Sequence, residues 1–399
     1  MPFARWSAAP ALGAVLLTLA AGSLSGQRIK LPTSLKHLVE AAKQDSNDAA
    51  AHFNVALAFW NEKRWDDAKA ALSTALSIEP QFASAHLALA YLPYAQRPRL
   101  FAEQSERRVP DEWKPAIEEA DRRYRQAFLL DPLCDLRITG AAVPTTSLAL
   151  GPGAGFIVEF FFDYLQGFKA LLEGDYEKAY VGFQRVVNLI DGERHPKRIA
   201  PSLHWWRGMA AAHSGRWDAA EWDLERLLDA DREREEDEAI EIFPLQTNEY
   251  RYVLAVFKHR AGKLDEARQL YQEALEQNVG LYMANAQLAR IHEVAGEWDL
   301  AIRERQAAVN ANPGDPSLLY DLGLTYARGG RWIDAELALT QALDGNGRDT
   351  RILYYLGTVR SELGKPAEAR QAFERFVTLA PSRYANQVAD AKRRLDALR

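Results

Sequence analysis

The sequence predicts an all-α protein, a helical solenoid broken by loop insertions. Three observations carry that reading. Residues 248–281, 282–315, 316–349 and 350–383 form successive segments with a common period of 34 residues. Their eighth position is small (Ala255, Ala289, Gly323, Gly357) and their fifteenth is glycine (Gly262, Gly296, Gly330, Gly364). Their twentieth is alanine (Ala267, Ala301, Ala335, Ala369). A chain of 399 residues would otherwise suggest two or three compact domains, at roughly 150 residues each.

The same pattern extends upstream. Residues 49–82 carry Ala56, Trp65, Ala68, Leu72, Ala75 and Pro80 at the matching places. Residues 160–193 carry Gly167, Gly174, Tyr176, Ala179 and Phe183. Residues 201–234 carry Gly208, Gly215, Trp217, Ala220 and Leu224. A broken copy starts at Ala83: Ala90 is in place, but Ala120, Tyr124, Ala127 and Pro132 arrive 18 residues late. Together these residues resemble the tetratricopeptide repeat, a helix–turn–helix unit. The resemblance implies a right-handed superhelical solenoid of eight hairpins. Small residues at positions 8 and 20 let the two helices approach closely. Glycine at position 15 turns the chain, because it takes positive φ without a Cβ penalty. Proline at position 32 (Pro313, Pro381) stops the second helix. No hairpin can bury its apolar face alone, so the units stack.

Taken in order, residues 1–26 read as a secretory signal peptide. One charge, Arg5, precedes an apolar run at 11–21, and small residues follow at 22–26. The run is shorter than the roughly 20 residues of a membrane span. The mature chain is therefore expected to be exported, periplasmic or secreted, with no stable membrane span; an uncleaved, membrane-anchored form is the alternative. Residues 27–48 form an N-terminal capping helix. Units 1 and 2 occupy 49–132, with an insertion at 96–113. A Gly/Pro-rich insertion follows at 133–159. There Val143, Leu148, Leu150 and Phe156 favour an ordered loop packed on the solenoid over a flexible linker. Units 3 and 4 span 160–234. An acidic and apolar insertion covers 235–247. Units 5–8 span 248–383, and a polar capping helix at 384–399 ends the chain, with Tyr384, Val388 and Leu395 facing inward.

Composition narrows the function. A net charge of −6 argues against nucleic acid as a partner. The single cysteine, Cys134, excludes an intrachain disulfide and any Cys-pair zinc site. Residues 151–155 (GPGAG) lack the lysine and Ser/Thr of a phosphate-binding loop. His292-Glu293 has no second histidine four residues on, and no GxSxG elbow exists. His52, His86 and His204 share position 4 of their repeats, which suits packing between repeats better than a metal site. No catalytic residue, cofactor or metal is expected.

Binding is the remaining activity. In repeats of this kind, positions 2, 5, 9, 12 and 13 of the first helix line the concave face; that placement is implied by the resemblance. Position 5 reads Phe53, Leu87, Tyr164, Trp205, Tyr252, Ala286, Tyr320 and Tyr354. Position 9 includes Tyr91, Phe168 and Arg290. Lys at position 5 and Asn at position 9, the two-carboxylate clamp of chaperone-binding relatives, occur in no repeat. The expectation is a non-catalytic scaffold. Phe53, Tyr91, Tyr164, Phe168, Trp205, Tyr252, Tyr320, Tyr354 and Arg290 would line a groove for a protein or peptide ligand, plausibly in assembly of an envelope complex. The alternative is a glycan- or polysaccharide-binding helper that stacks sugars on Trp205, Trp206 and the other rings. An enzyme site hidden in the insertions ranks third. Rings packed against neighbouring helices, rather than facing a groove, compete with both binding readings.

Overall fold

The computed structural model describes residues 28–105, 108–142, 158–190, 192, 194, 199–232 and 245–398. The proposed signal at 1–26, most of the 133–159 insertion with its four apolar residues, and most of the 235–247 insertion lie outside the described residues. Among the described residues every regular element is a helix.

The helices follow the repeat register. Helix α1 (Leu35–Gln44) precedes the first hairpin, α2 (Ala49–Asn61) and α3 (Trp65–Ile78). The broken repeat supplies α4 (Ala83–Gln96), the short α5 (Leu100–Ser105) inside its insertion, and α6 (Lys114–Leu130). Helix α7 (Arg137–Ala142) leads to two hairpins: α8 (Val158–Glu173) with α9 (Tyr176–Leu189), and α10 (Pro201–His213) with α11 (Trp217–Arg232). Four further repeats give α12 (Thr247–Arg260), α13 (Leu264–Gln277), α14 (Tyr282–Val294), α15 (Trp298–Ala311), α16 (Pro316–Arg328), α17 (Trp332–Gly345), α18 (Thr350–Glu362) and α19 (Pro366–Leu379). Helix α20 (Ala385–Ala397) closes the chain.

Local chemistry sets these boundaries. Gly174, Gly215, Gly262, Gly296, Gly330 and Gly364 adopt φ of 67–82° at the hairpin turns, a region that costs other residues about 1–2 kcal/mol. In the first hairpin Lys63 takes that place at φ 58°. Asp48, Asp175, Asp315 and Asp349 cap α2, α9, α16 and α18 by accepting a backbone N–H of the first turn. Pro201, Pro316 and Pro366 open α10, α16 and α19, where a missing N–H costs nothing. At the close-packed position 8, a Cβ on Gly357 would stand 2.7 Å from the Phe373 ring. The alanines at position 20 of all seven intact repeats are fully buried.

The described residues form two compact units. One comprises residues 86–261 with 28–30. In it α8 and α9 enclose a cluster of Tyr164, Phe168 and Phe183, each ring edge-on to the other two. The other comprises residues 31–85 together with 262–399. Its hairpins α14–α15, α16–α17 and α18–α19 stack in order. Helix α20 covers the last of them, with Tyr384, Val388 and Leu395 against Phe373 and Phe376.

That second unit departs from nearest-neighbour stacking. The first repeat and the turn before it, at one end of the chain, pack with the last three at the other. Asn47 Nδ2 donates to the Leu379 carbonyl at 3.3 Å, Ser382 Oγ to Asp45 at 2.6 Å, and Gln81 Nε2 to Asp315 at 2.8 Å. A 34-residue period specifies neighbours along the stack and carries no information about contacts between its ends.

Candidate partner-binding face

The aromatic residues expected along the groove are for the most part buried by the chain itself. Phe53, Tyr91, Tyr164, Phe168, Trp205, Tyr252 and Tyr320 are all buried. Phe53 packs on Phe82 at 5.1 Å between ring centroids, and Tyr91 lies edge-on to Tyr124 at 6.3 Å. Phe168 meets Trp206, itself buried, at 5.6 Å.

Helix α6 explains the burial of Trp205 and Tyr252. Phe128 sets its ring edge-on to Trp205 at 4.9 Å, and Trp205 in turn meets Tyr250 at 5.8 Å. Tyr252 Oη donates to the Leu129 carbonyl at 2.8 Å. Arg125 Nε lies 3.9 Å from Glu249, whose carboxyl is held above its ordinary value, mainly by burial. Every residue of α12 from Asn248 to Lys258 is buried, as expected of a helix covered on all sides. The displaced second half of the broken repeat therefore occupies the face on which an aromatic groove was expected. These rings do not line an open groove, and Trp205 and Trp206 offer no free face to a sugar.

In the second unit, part of the corresponding face of the C-terminal repeats is open. Arg290 is exposed, Val294 is 82% exposed, and Leu324 and Thr358 are half-buried. Arg328 is exposed on the same side, as is Glu362 at the far end. Tyr354 is half-buried and its hydroxyl donates to Asp390 of α20 at 2.8 Å. Tyr320 lies under the Arg351 guanidinium, 5.1 Å from the ring centroid. Burial pushes the Tyr320 hydroxyl well above the ordinary phenol value. Burial works against the Arg351 charge, but its paired hydrogen bonds to Asp349 outweigh this and raise its pKa.

Behind Arg290 sits a charged hub that joins three helices. Glu293 accepts from Arg305 Nε at 3.2 Å and Nη2 at 3.1 Å, from Thr325 Oγ1 at 2.6 Å and from Arg328 Nη1 at 2.8 Å. Arg305 Nη1 also donates to Asp321 at 3.1 Å. Burial pushes the Glu293 carboxyl up, yet Arg305, Thr325 and Arg328 together bring it below the usual range. The hub holds Arg328 in place and leaves Arg290 and Val294 facing solvent.

Other polar groups are internal. His204 Nδ1 and Asp223 Oδ1 are 2.7 Å apart, and Arg207 grips both Asp223 oxygens at 2.7 and 2.8 Å, all three residues buried. His86 pairs with Arg123 at 3.0 Å, and His52 with the Ser46 carbonyl at 3.1 Å. The three histidines share a repeat position and have separate partners. Among the described residues no group of three His, Cys, Asp or Glu side chains is arranged to hold a metal ion. Cys134 is buried and its thiol is pushed well up by desolvation. Among the described residues no helix is long and apolar enough to cross a membrane.

Sequence reasoning missed the Glu293 hub, although a signal for it existed. Position 24 holds Leu72, Phe183, Leu224, Tyr271, Leu339 and Phe373 in six repeats, and Arg305 in one. A cation at a packing position requires a buried anion nearby.

Residues 30–81, 258–316 and 320–384 match the tetratricopeptide repeat family. Solved structures resemble parts of the chain at low identity. MamA from Desulfovibrio magneticus RS-1, from residue 41 to its end, is 17% identical with a TM-score of 0.38, over 45% of this chain and 94% of that one. The C-terminal part of a TPR repeat-containing protein from Cytophaga hutchinsonii is 15% identical with a TM-score of 0.45, over 60% of this chain and 92% of that one. No curated protein matches the sequence.

Proposed function

We infer that this chain is a tetratricopeptide-repeat protein and acts as an exported, non-catalytic scaffold that holds a protein segment on the inner face of its C-terminal repeats. The observation that supports it most is the difference in exposure between repeats. The rings of the earlier repeats are consumed by internal packing, whereas Arg290, Val294 and Arg328 face solvent together. A free guanidinium beside an exposed valine and a half-buried Leu324 suits a segment with carboxylates next to apolar side chains. The apolar run at 11–21 with its small-residue flank supports export, and an envelope assembly is the setting that follows.

The test uses protein recovered from outside the cytoplasm of its own cell, with its N-terminus sequenced. It is offered an array of peptides that vary carboxylate and leucine content. The expected result is a mature start near residue 27 and a preference for acidic, leucine-bearing peptides. Arg290→Glu should weaken that binding about tenfold, some 1.4 kcal/mol, with an unchanged circular dichroism spectrum. An unprocessed cytoplasmic chain overturns the export reading. Binding indifferent to peptide charge and to Arg290→Glu overturns the partner face.

A further inference from the structure

Charged and amide side chains of the last repeats hold the segment 31–85 along a seam. Arg348 bridges the turn before α2 and the last turn of α3, donating from Nη2 to the Ser46 carbonyl and from Nη1 to Ser77 Oγ, both at 2.8 Å. Asn346 Nδ2 donates to the Ile78 carbonyl at 2.9 Å. Arg383 pairs with Asp48 at 3.1 Å and approaches Glu79 at 3.8 Å. Among the described residues, one apolar cluster of the last repeats joins Tyr320, Leu339, Ile352 and Leu356, and another joins Leu353, Phe373 and Phe376. Those repeats thus have a core of their own, and the named contacts across the seam are polar. Each such contact contributes modestly, and the ion pairs among them are weakened by salt.

The seam also stands beside the proposed partner face. Gln81 reaches Asp315, which caps the first turn of α16. The Glu79 charge acts on Arg351, in the first turn of α18, and on Tyr384. Tyr320 lies under Arg351. The turn between α3 and α4 is therefore placed at one end of the inner face, whose other end carries Arg290 and Arg328.

We propose that residues 31–85 act as a releasable clasp. Held by Arg348, Arg383 and Asn346, this segment closes one end of the C-terminal inner face at the first turns of α16 and α18; released as one body, it frees those turns and lengthens the face open to a partner. The gating part rests on the partner-face reading, whereas the clasp itself is tested without any partner.

Hydrogen–deuterium exchange compares the wild type with Arg348→Ala/Arg383→Ala. The variant should exchange about tenfold faster in residues 31–85 and in the first turns of α16 and α18. Exchange in α17 and α19 and the circular dichroism spectrum should stay unchanged. High salt should move the wild type in the same direction. Unaltered exchange in 31–85, or equal acceleration throughout the C-terminal repeats, overturns the clasp. A second variant, Asp45→Cys/Ser382→Cys, is locked with a short bis-maleimide. The locked form should bind a fluorescent acidic, leucine-bearing peptide more weakly than the same variant left unlinked, and Arg348→Ala/Arg383→Ala more tightly than the wild type. Equal affinities in locked and released forms overturn the gating, while loss of sensitivity to Arg290→Glu separately overturns the partner face.

Discussion

Lys63 and His213 show how far a single residue can depart from the pattern of its fold. Lys63 sits at φ 58° where six equivalent turns use glycine. A side chain in that region costs about 1–2 kcal/mol, and Lys63 is exposed. Lys63→Gly should therefore stabilise the first hairpin by about 1 kcal/mol, less the extra entropy glycine brings to the unfolded chain. A rise in thermal midpoint checks it; a fall would mean that the lysine side chain contributes more than its strain. His213 stacks on Tyr176 at 4.0 Å between centroids, and burial pushes its imidazole down from 6.5 to about 4. The unfolded chain binds the proton more readily. Stability is then complete above about pH 6.5, falls as the pH drops towards 4, and loses about 3 kcal/mol over that window. His213→Phe keeps the ring stack and removes the proton, so its thermal midpoint should fall less between those two pH values. Parallel profiles would assign the acid loss to carboxylates instead.

Helices joined by charge behave differently from helices joined by alanine. The hub of Glu293, Arg305 and Arg328 ties α14, α15 and α16 together where other repeats use an apolar contact. Removing one partner of a buried pair leaves the other without compensation. Arg305→Leu should cost about 3 kcal/mol, whereas Arg305→Leu/Glu293→Leu should recover most of that loss. Denaturant unfolding of the two variants measures the coupling, and simple additivity would show that the pair is not a unit. The helices themselves were legible in advance because their signals are local: alanine at position 20 and glycine at position 15. The hub was legible only in part. Arg305 stands out at position 24, but its anion is twelve residues upstream on another helix, and nothing in the spacing identifies it.

Across the whole molecule, the sequence by itself determined the class of fold, the repeat register and the absence of a disulfide within the chain. Each follows from residue type at fixed spacing, and a periodic pattern repeats its local instructions without reference to distant segments. Tertiary structure alone decided which surfaces remain open. The expected groove residues Phe53, Tyr164, Trp205 and Tyr252 carry the aromatic pattern of a binding face and are buried. For Trp205 and Tyr252 the cover is α6, displaced by an 18-residue insertion, which lies against α10 and α12. Arg290 kept its exposure, and the first repeat and the turn before it came to rest against residues some 300 positions away. An aromatic side chain gains the same free energy whether a partner or its own chain removes it from water. Composition therefore cannot distinguish a groove from a core, and the long-range path of the backbone makes that choice.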